Sequence, residues 1–189
     1  MRIASVTYER AVEHYLRTHR LPYLSINQRR RPLAAYRPLK NFDLLVRARS
    51  GQHYLVEVKG RQFPYVHRGK KVFWENWVHE EDLEGLRLWR DYFGFGFTGL
   101  VCYAYLITEP EYLDTFASRS QWKERTFGLV ALTLEDFLRW GERRSASWKA
   151  WHIPPTQFRQ LIRPLAAFLL GSSAQTALPS HRNERGRAT

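Results

Sequence analysis

Apolar residues recur at helical spacing in four stretches of the chain, and each of these stretches predicts a helix. Ser5 is suited to cap the start of the first helix, and the step from Leu21 to Pro22 is suited to end it. Three acidic residues at 80–82 fit the positive N-terminal end of the second helix, Gly94 fits its exit, and Pro164 should kink the last one. The predicted helices cover residues 5–20, 78–93, 134–140 and 154–170.

Four other runs are rich in β-branched, aromatic and aliphatic residues and predict strands. The first two are separated only by residues 49–52, which predicts an antiparallel hairpin. The third run is almost entirely apolar, which is typical of a strand buried on both faces. The order is therefore helix, hairpin, helix, strand, strand. The predicted strands cover residues 42–48, 53–59, 98–108 and 127–132.

The composition fits one folded domain. The chain has 189 residues, 44% of them hydrophobic, so it can bury one sizeable core. We expect a single domain over residues 1–170 and a disordered basic tail over 171–189, where residues are small and polar. The single cysteine, Cys102, lies in an apolar run, so we expect its side chain to be buried. A lone cysteine cannot form an internal disulfide, which indicates a reducing compartment. With Glu9 and Glu13 interrupting the start and no bilayer-spanning apolar run, we expect a cytoplasmic protein.

The charge balance points to a polyanionic partner. The net charge is +12, and residues 17–49 carry nine basic groups against one acid, Asp43. Within this stretch, Arg29, Arg30 and Arg31 form a basic loop suited to phosphate contacts. A basic face that merely keeps the protein in solution is the alternative, and nucleic acid is favoured over it.

A second basic segment, residues 61–77, alternates cationic and aromatic residues. This pattern fits a loop that grips phosphates and stacks on unpaired bases. Alternatively, Trp74 and Trp77 anchor the second helix to the core, which for Trp77 is at least as well supported. The candidate phosphate-binding residues of the segment are Arg61, Arg68, Lys70 and Lys71.

Candidate chemistry concentrates in the hairpin. Glu57 and Lys59 are two residues apart in a strand and share a face, and Asp43 joins them if the hairpin loop has an odd length or a bulge. Two carboxylates and water suit a hard cation, while Lys59 could orient or deprotonate an attacking water or steady developing charge. By itself, however, Glu-x-Lys is ordinary on an exposed strand, and a surface ion pair is the simpler interpretation of that triplet.

The wider pattern changes that balance. A helix with a Glu, then N-F-D-L-L-V, then H-Y-L-V-E-V-K-G-R-Q, then a helix and an apolar strand resemble the PD-(D/E)XK nuclease superfamily. The similarity covers residues 8–107 and is greatest to the archaeal Holliday-junction-resolvase-like branch. It implies an α/β, restriction-endonuclease-like core with a central mixed sheet of four to five strands flanked by helices.

The resemblance also implies roles for individual residues. Asp43 and Glu57 would hold Mg²⁺ or Mn²⁺, Lys59 would serve the attacking water, and a glutamate of the first helix would assist. Phe42 stands where the superfamily's name has Pro, in a position that is often varied in the resembled branch.

For the helix glutamate there are two candidates. Glu9 lies at the rim of the apolar stripe, whereas Glu13 is placed further toward solvent, so Glu9 is preferred and Glu13 is an accessory candidate. Both could instead only solubilise the helix. Gln62 could contact substrate or metal-bound water, although a simple loop role is favoured. The stretch Y-E-R-A-V-E is also similar to an uncharacterised family named for the pattern HYExAFE, with Thr7 for its His and Val12 for its Phe.

These observations predict a magnesium-dependent endonuclease that hydrolyses phosphodiester bonds in DNA, including branched or damaged DNA. A non-catalytic nucleic-acid-binding protein with the same fold is the alternative, and docking of an acidic protein is weaker because it leaves the carboxylates unexplained. The seven histidines and one cysteine show no zinc-ligand spacing. The resembled resolvases dimerise, which leaves a homodimer open here.

Overall fold

The computed structural model of the chain describes residues 5–28, 33–34, 37–145 and 147–171. All of the predicted tail beyond Gly171 lies outside these residues. None of the helices in this part of the chain is long and apolar enough to cross a membrane. The helices are α1 (Ser5–Thr18), α2 (Glu80–Phe93), α3 (Leu134–Trp140), α4 (Pro155–Leu161) and α5 (Leu165–Leu169), with a 3-10 helix at Pro110–Thr115.

Among the described residues, eight strands follow α1 before α2 begins, and several of the strands have only two or three residues. In chain order they are β1 (Tyr23–Ser25), β2 (Leu33–Ala34), β3 (Arg37–Pro38), β4 (Leu44–Arg47), β5 (His53–Phe63), β6 (Tyr65–His67), β7 (Lys70–Val72), β8 (Val78–His79), β9 (Phe97–Ile107), β10 (Arg119–Trp122), β11 (Arg125–Thr133), β12 (Glu142–Ser145), β13 (Ala150–His152) and β14 (Arg163–Pro164).

A central mixed sheet runs in the order β1-β4-β5-β9-β11-β10, with β14 paired to β11. The β5 and β9 strands are parallel, with α2 in the connection between them, and their neighbours are antiparallel. The predicted α/β class, with a mixed sheet flanked by helices, is confirmed, and the order helix, hairpin, helix, strand agrees with a restriction-endonuclease-like core. The sheet has seven strands rather than four to five because the short β1, β10 and β14 join it.

Each face of this sheet packs against its own helices. The face with Val56, Val58 and the fully buried Cys102 lies under α1 and α5. The opposite face, with Leu55 and Tyr103, lies under α2, α3 and α4. The long buried strands β9 and β11 supply residues to both cores, which is why their central residues are almost all apolar.

The α1 helix approaches β5 very closely at Gly60. A Cβ atom added there would lie 2.1 Å from Cδ2 of Tyr8, which is far inside van der Waals contact. Glycine therefore permits the Tyr8 ring to lie directly against the strand.

The predicted kinked helix over 154–170 is wrong. The chain forms two short helices, α4 and α5, and between them β14 pairs with β11. Ile162 has an extended ψ of 144° and ends α4. Pro164 lacks an N–H and disfavours the helical conformation at the residue before it, so the helix stops where a kink was expected.

Two further groups of strands were not predicted. The β6 and β7 strands form a hairpin within the basic and aromatic segment. The β12, β13 and β8 strands form a small antiparallel sheet that joins residues 142–152 to the start of α2. Both lie beside the cleft described below.

Candidate active site and the adjoining cleft

The β4–β5 hairpin brings Asp43 beside Glu57. Its loop, residues 48–52, has five residues, which is the odd length that the sequence argument required. The Asp43 N–H donates to the Val56 carbonyl at 3.0 Å, and Asp43 Oδ2 accepts from the Val58 N–H at 2.7 Å. Asp43 is thus bonded to the residues on both sides of Glu57.

The pairing of β4 with β5 ends at Val56, so the Val58 N–H donates to the Asp43 carboxylate instead of to a β4 carbonyl. Asp43 is only 8% exposed, and its Oδ1 accepts a hydrogen bond from Gln28 Nε2 at 2.9 Å. Burial raises the pKa of Asp43, and the Val58 N–H and the charge of Lys59 partly offset that rise. Gln28 was not singled out from the sequence, because one amide before a basic loop carries no recognisable pattern.

Lys59 connects the strand to α2. Its Nζ lies 2.7 Å from Glu57 Oε1 and 2.5 Å from Asp82 Oδ2. Burial is the largest single influence on its pKa and lowers it, but the carboxylates of Glu57 and Asp82 together raise the pKa above its ordinary value. Lys59 is therefore a protonated, buried cation at neutral pH.

Glu57 is the most strongly perturbed acid of this group. Burial raises its pKa to about 8, Lys59 lowers it, and the nearby charges of Asp43 and Asp82 raise it further. The influence of Asp43 on Glu57 shows that the two carboxylates lie within electrostatic range of each other. Burial thus disfavours the ionised form of Glu57, even with Lys59 in contact.

The two helix glutamates differ from each other in their surroundings. Burial raises the pKa of Glu9, and Asp43 and Glu13 raise it further, so Glu9 lies near the cluster. Glu13 is buried and pairs with Arg10 at 2.7 Å and with Arg17 at 3.4 Å. The placement of Glu13 toward solvent was therefore wrong, because these two arginines stabilise it at the edge of the core.

Asp82 is the acid of the cluster that sequence reasoning missed. It lies in the first turn of α2, is 4% exposed, and also lies 3.5 Å from Lys40 Nζ through its other oxygen. An acid in a first helical turn is already explained by the helix dipole. The available signal was its position four residues before Leu86, on the buried face of the helix.

Beyond Lys59, β5 continues along a cleft of about 850 Å³. Arg61 lines this cleft but is only 8% exposed. Its guanidinium lies 4.2 Å from the centre of the Trp77 ring and donates to the backbone carbonyls of Gly60 and Trp77. This burial differs from the exposed phosphate contact that the sequence suggested. Gln62, half-buried, lines the cleft as well.

The other predicted nucleic-acid contacts lie in different surroundings. Arg68 and Lys70 are exposed at the turn of the β6–β7 hairpin, whereas Lys71 pairs with Glu109 at 2.6 Å. Trp74 is buried and packs on Phe63, so both belong to the core. The basic loop of Arg29, Arg30 and Arg31 lies outside the described residues.

Within the described part of the chain, no group of three or more His, Cys, Asp or Glu side chains is arranged to hold a metal ion. The chemistry of the cluster nevertheless fits a hard cation. Asp43 and Glu57 offer carboxylate oxygens, which Mg²⁺ binds together with several waters rather than in an all-protein cage. A cation would also favour the ionised form of Glu57, which burial disfavours.

The fold and the site thus define an α/β protein with a buried carboxylate–lysine cluster between β5 of a central mixed sheet and α2. No protein-family model and no curated protein matches the sequence. The structure is similar to that of Hjc, a Holliday junction resolvase from the archaeal hyperthermophile Archaeoglobus fulgidus, with a TM-score of 0.46 and 11% identity over 83% of this chain and 93% of that chain. A likeness at this level establishes neither family nor activity.

Proposed function

We propose that this protein is a metal-dependent nuclease of the PD-(D/E)XK type, which hydrolyses phosphodiester bonds in DNA. The observation that carries the proposal is the buried contact of 2.7 Å between Lys59 and Glu57, bracketed by the hydrogen bonds of Asp43. Burying several charges costs free energy that a purely structural role does not require. Such clusters of perturbed ionisable groups are enriched at catalytic sites.

Asp43 and Glu57 would hold the Mg²⁺ or Mn²⁺ ion. When bound, the ion supplies charge that polarises the scissile phosphate and acidifies a water molecule. Asp43 is well suited to such a role because the Gln28 amide and the Val58 N–H fix both of its oxygens.

Lys59 orients the attacking water and steadies negative charge that develops on the phosphate. It does not act as the base, because Glu57 and Asp82 keep its pKa above the ordinary value and the amine protonated. Glu9 is the helix glutamate that assists, since its pKa responds to Asp43 and Lys59.

The choice of a polyanionic substrate rests on charge, and the choice of DNA rests on the resemblance to the PD-(D/E)XK nuclease superfamily. The chain has a net charge of +12 although the site itself contains several acids. The protein as a whole therefore attracts a polyanion, and the cluster would act on one of its phosphates. Branched or damaged DNA is the specific substrate class that we propose.

The direct test is cleavage of labelled duplex, single-stranded and four-way-junction DNA with Mg²⁺ or Mn²⁺. We expect cleavage by the wild-type protein and by Asp114→Ala, a matched control at a side chain that is 99% exposed. Asp43→Ala should be inactive. If neither metal supports cleavage of any of these substrates, the protein is a non-catalytic nucleic-acid-binding protein instead.

Lys59→Ala and Asp43→Ala should fail in different ways. Removing the lysine should lower the cleavage rate at least about 100-fold while metal still binds, whereas removing the aspartate should abolish both, because only the carboxylate is a ligand. Calorimetric titration with Mn²⁺ separates the two variants. If Lys59→Ala cleaves at the wild-type rate at saturating Mg²⁺, the Glu57–Lys59 contact is only a structural ion pair.

A further inference from the structure

The cleft beside the cluster follows the edge of β5 where β4 has ended. The β4 pairing covers only His53 to Val56, whereas the register with β9 continues to Phe63. Gly60, Arg61 and Gln62 line the cleft on this side. Residues 72–77 and the β12–β13 hairpin line it on the others. We call this space the β5 cleft.

Aromatic rings dominate the walls of the β5 cleft. They belong to Tyr8, Tyr65, Phe73, Trp74, Trp77 and Trp148. Trp148 is 72% exposed, so its ring is open to solvent at the rim of the cleft. Tyr8 and Trp74 are buried, but the rings of Tyr65, Phe73, Trp77 and Trp148 are partly open to solvent. Such rings are platforms on which nucleobases stack, irrespective of sequence.

The polar groups of the cleft favour a base over a phosphate. Glu75 lies within it, 3.8 Å from Arg61 Nε and 3.7 Å from Arg144, so its negative charge offsets part of the attraction that these two arginines exert on a phosphate. Arg61 Nε is buried and has no hydrogen-bond partner among the described residues, so a donor remains to be satisfied at the cleft wall. Arg144 at the rim is exposed and can meet the backbone phosphates.

We propose that the β5 cleft binds an unpaired nucleobase of a single-stranded DNA segment, next to the phosphate that the cluster would cleave. A volume of about 850 Å³ lies within the range of ligand sites. Lys59 and Arg61 are two residues apart on one strand, a span of about 7 Å, so a base at Arg61 places its sugar-phosphate close to Lys59. This inference rests on the proposed function for the substrate, and it names its class: DNA with unpaired nucleotides.

The test uses oligonucleotides that carry the fluorescent adenine analogue 2-aminopurine, titrated with full-length protein in EDTA so that nothing is cleaved. The wild-type protein should quench the fluorescence of an unpaired 2-aminopurine by stacking. Trp148→Ala should abolish most of the quenching and weaken single-strand binding about tenfold, the equivalent of one lost base–aromatic stack. Trp148→Phe keeps a ring and should restore both.

Trp140→Ala is the matched control, because Trp140 is an exposed tryptophan of α3 that does not line the cleft. It should behave as the wild type. Equal quenching by Trp148→Ala and Trp140→Ala would overturn the proposal, as would the absence of any quenching by the wild-type protein. Circular dichroism of each variant verifies the fold.

The binding test and the cleavage test can contradict their two proposals independently of each other. If no cleavage occurs with any metal but quenching still depends on Trp148, the β5 cleft binds single strands in a non-catalytic protein. If cleavage depends on Asp43 but quenching is independent of Trp148, the nuclease proposal stands and the cleft proposal is overturned. A blunt duplex with internal 2-aminopurine should be quenched less, because its bases are already paired and stacked.

Discussion

Asp82 contacts Lys59 at 2.5 Å and Lys40 at 3.5 Å from a buried position at the start of α2. Asp82→Asn keeps the shape but removes the charge, so it should lower cleavage about tenfold and the free energy of unfolding by about 1–3 kcal/mol. Because Asp82 helps to raise the pKa of Lys59, its loss should also move the alkaline limb of the pH–rate profile to lower pH.

Glu84→Gln is the control for this variant, since Glu84 is an exposed acid of the same helix. It should change neither the rate nor the pH profile. If Asp82 had only a structural role, the Asp82→Asn substitution would lower stability but would leave the pH profile of the remaining activity unchanged from the wild type.

Glu57 should make stability depend on pH. Its pKa is about 8 in the folded protein, against an ordinary value of 4.5, so between these values the folded state holds a proton that the unfolded chain has lost. The free energy of unfolding should therefore fall as pH rises from about 5 to 8. Glu57→Gln cannot titrate and should show a flatter profile in urea unfolding without divalent ions. Parallel profiles for the two proteins would contradict this.

Residue identity predicted the cluster only in part. The sequence could indicate Glu57 and Lys59 because residues two apart in a strand share a face. It could indicate Asp43 because of the resemblance to the PD-(D/E)XK pattern. It could not indicate Gln28, because its contact with Asp43 spans 15 positions and no local sequence pattern indicates it. Arg61 illustrates the converse, since a basic residue in a basic segment gives no sign that a tryptophan will cover it.

At the scale of elements, Asn76 clamps the wall of the β5 cleft to the segment before α4. Its side chain donates to the Ile153 carbonyl at 2.9 Å and accepts from the Ile153 N–H at 3.1 Å, in buried surroundings. Asn76→Ala would leave both backbone groups without this partner and should lower the free energy of unfolding by about 2–4 kcal/mol. Gln121→Ala, an exposed amide, should cost less than about 0.5 kcal/mol in the same urea titration. A similar cost for both would show that the clamp is dispensable.

Elements with strong periodicity could be predicted, and those formed by long-range pairing could not. The α1, α2 and α3 helices and the β5 and β9 strands lie where their apolar patterns place them. The β12 strand reads E-R-R-S and has no apolar face, so only its pairing with β13 makes it a strand. The same holds for β14, whose two residues gain a strand conformation from β11.

At the scale of the whole molecule, the excess of 30 basic over 18 acidic residues should make DNA binding strongly dependent on salt. The logarithm of the affinity should fall linearly with the logarithm of the salt concentration. Charge reversal at Arg29, Arg30 and Arg31 should weaken binding to all sequences alike and reduce the slope by about 3. Fluorescence anisotropy between low and moderate salt measures both effects.

A second triple reversal, at the exposed Arg87, Arg139 and Arg159, has the same effect on net charge. It should change the slope much less, because these residues lie on α2, α3 and α4, whereas Arg29 to Arg31 directly follow Gln28, which binds Asp43. Equal slopes for the two triple variants would mean that overall charge, and no particular basic track, governs binding.

The contact between Gly60 and Tyr8 has an evolutionary consequence. Gly60 is next to Lys59 in sequence, and Tyr8 is next to Glu9. The distance between α1 and β5 at the cluster is therefore set by the absence of a side chain at Gly60 and by the ring of Tyr8. A single methyl group at position 60 has no empty volume to enter, and a smaller residue at position 8 would leave a void. We therefore expect homologues of this chain to change the two positions as a correlated pair, with a side chain at 60 tolerated only where position 8 has lost its ring.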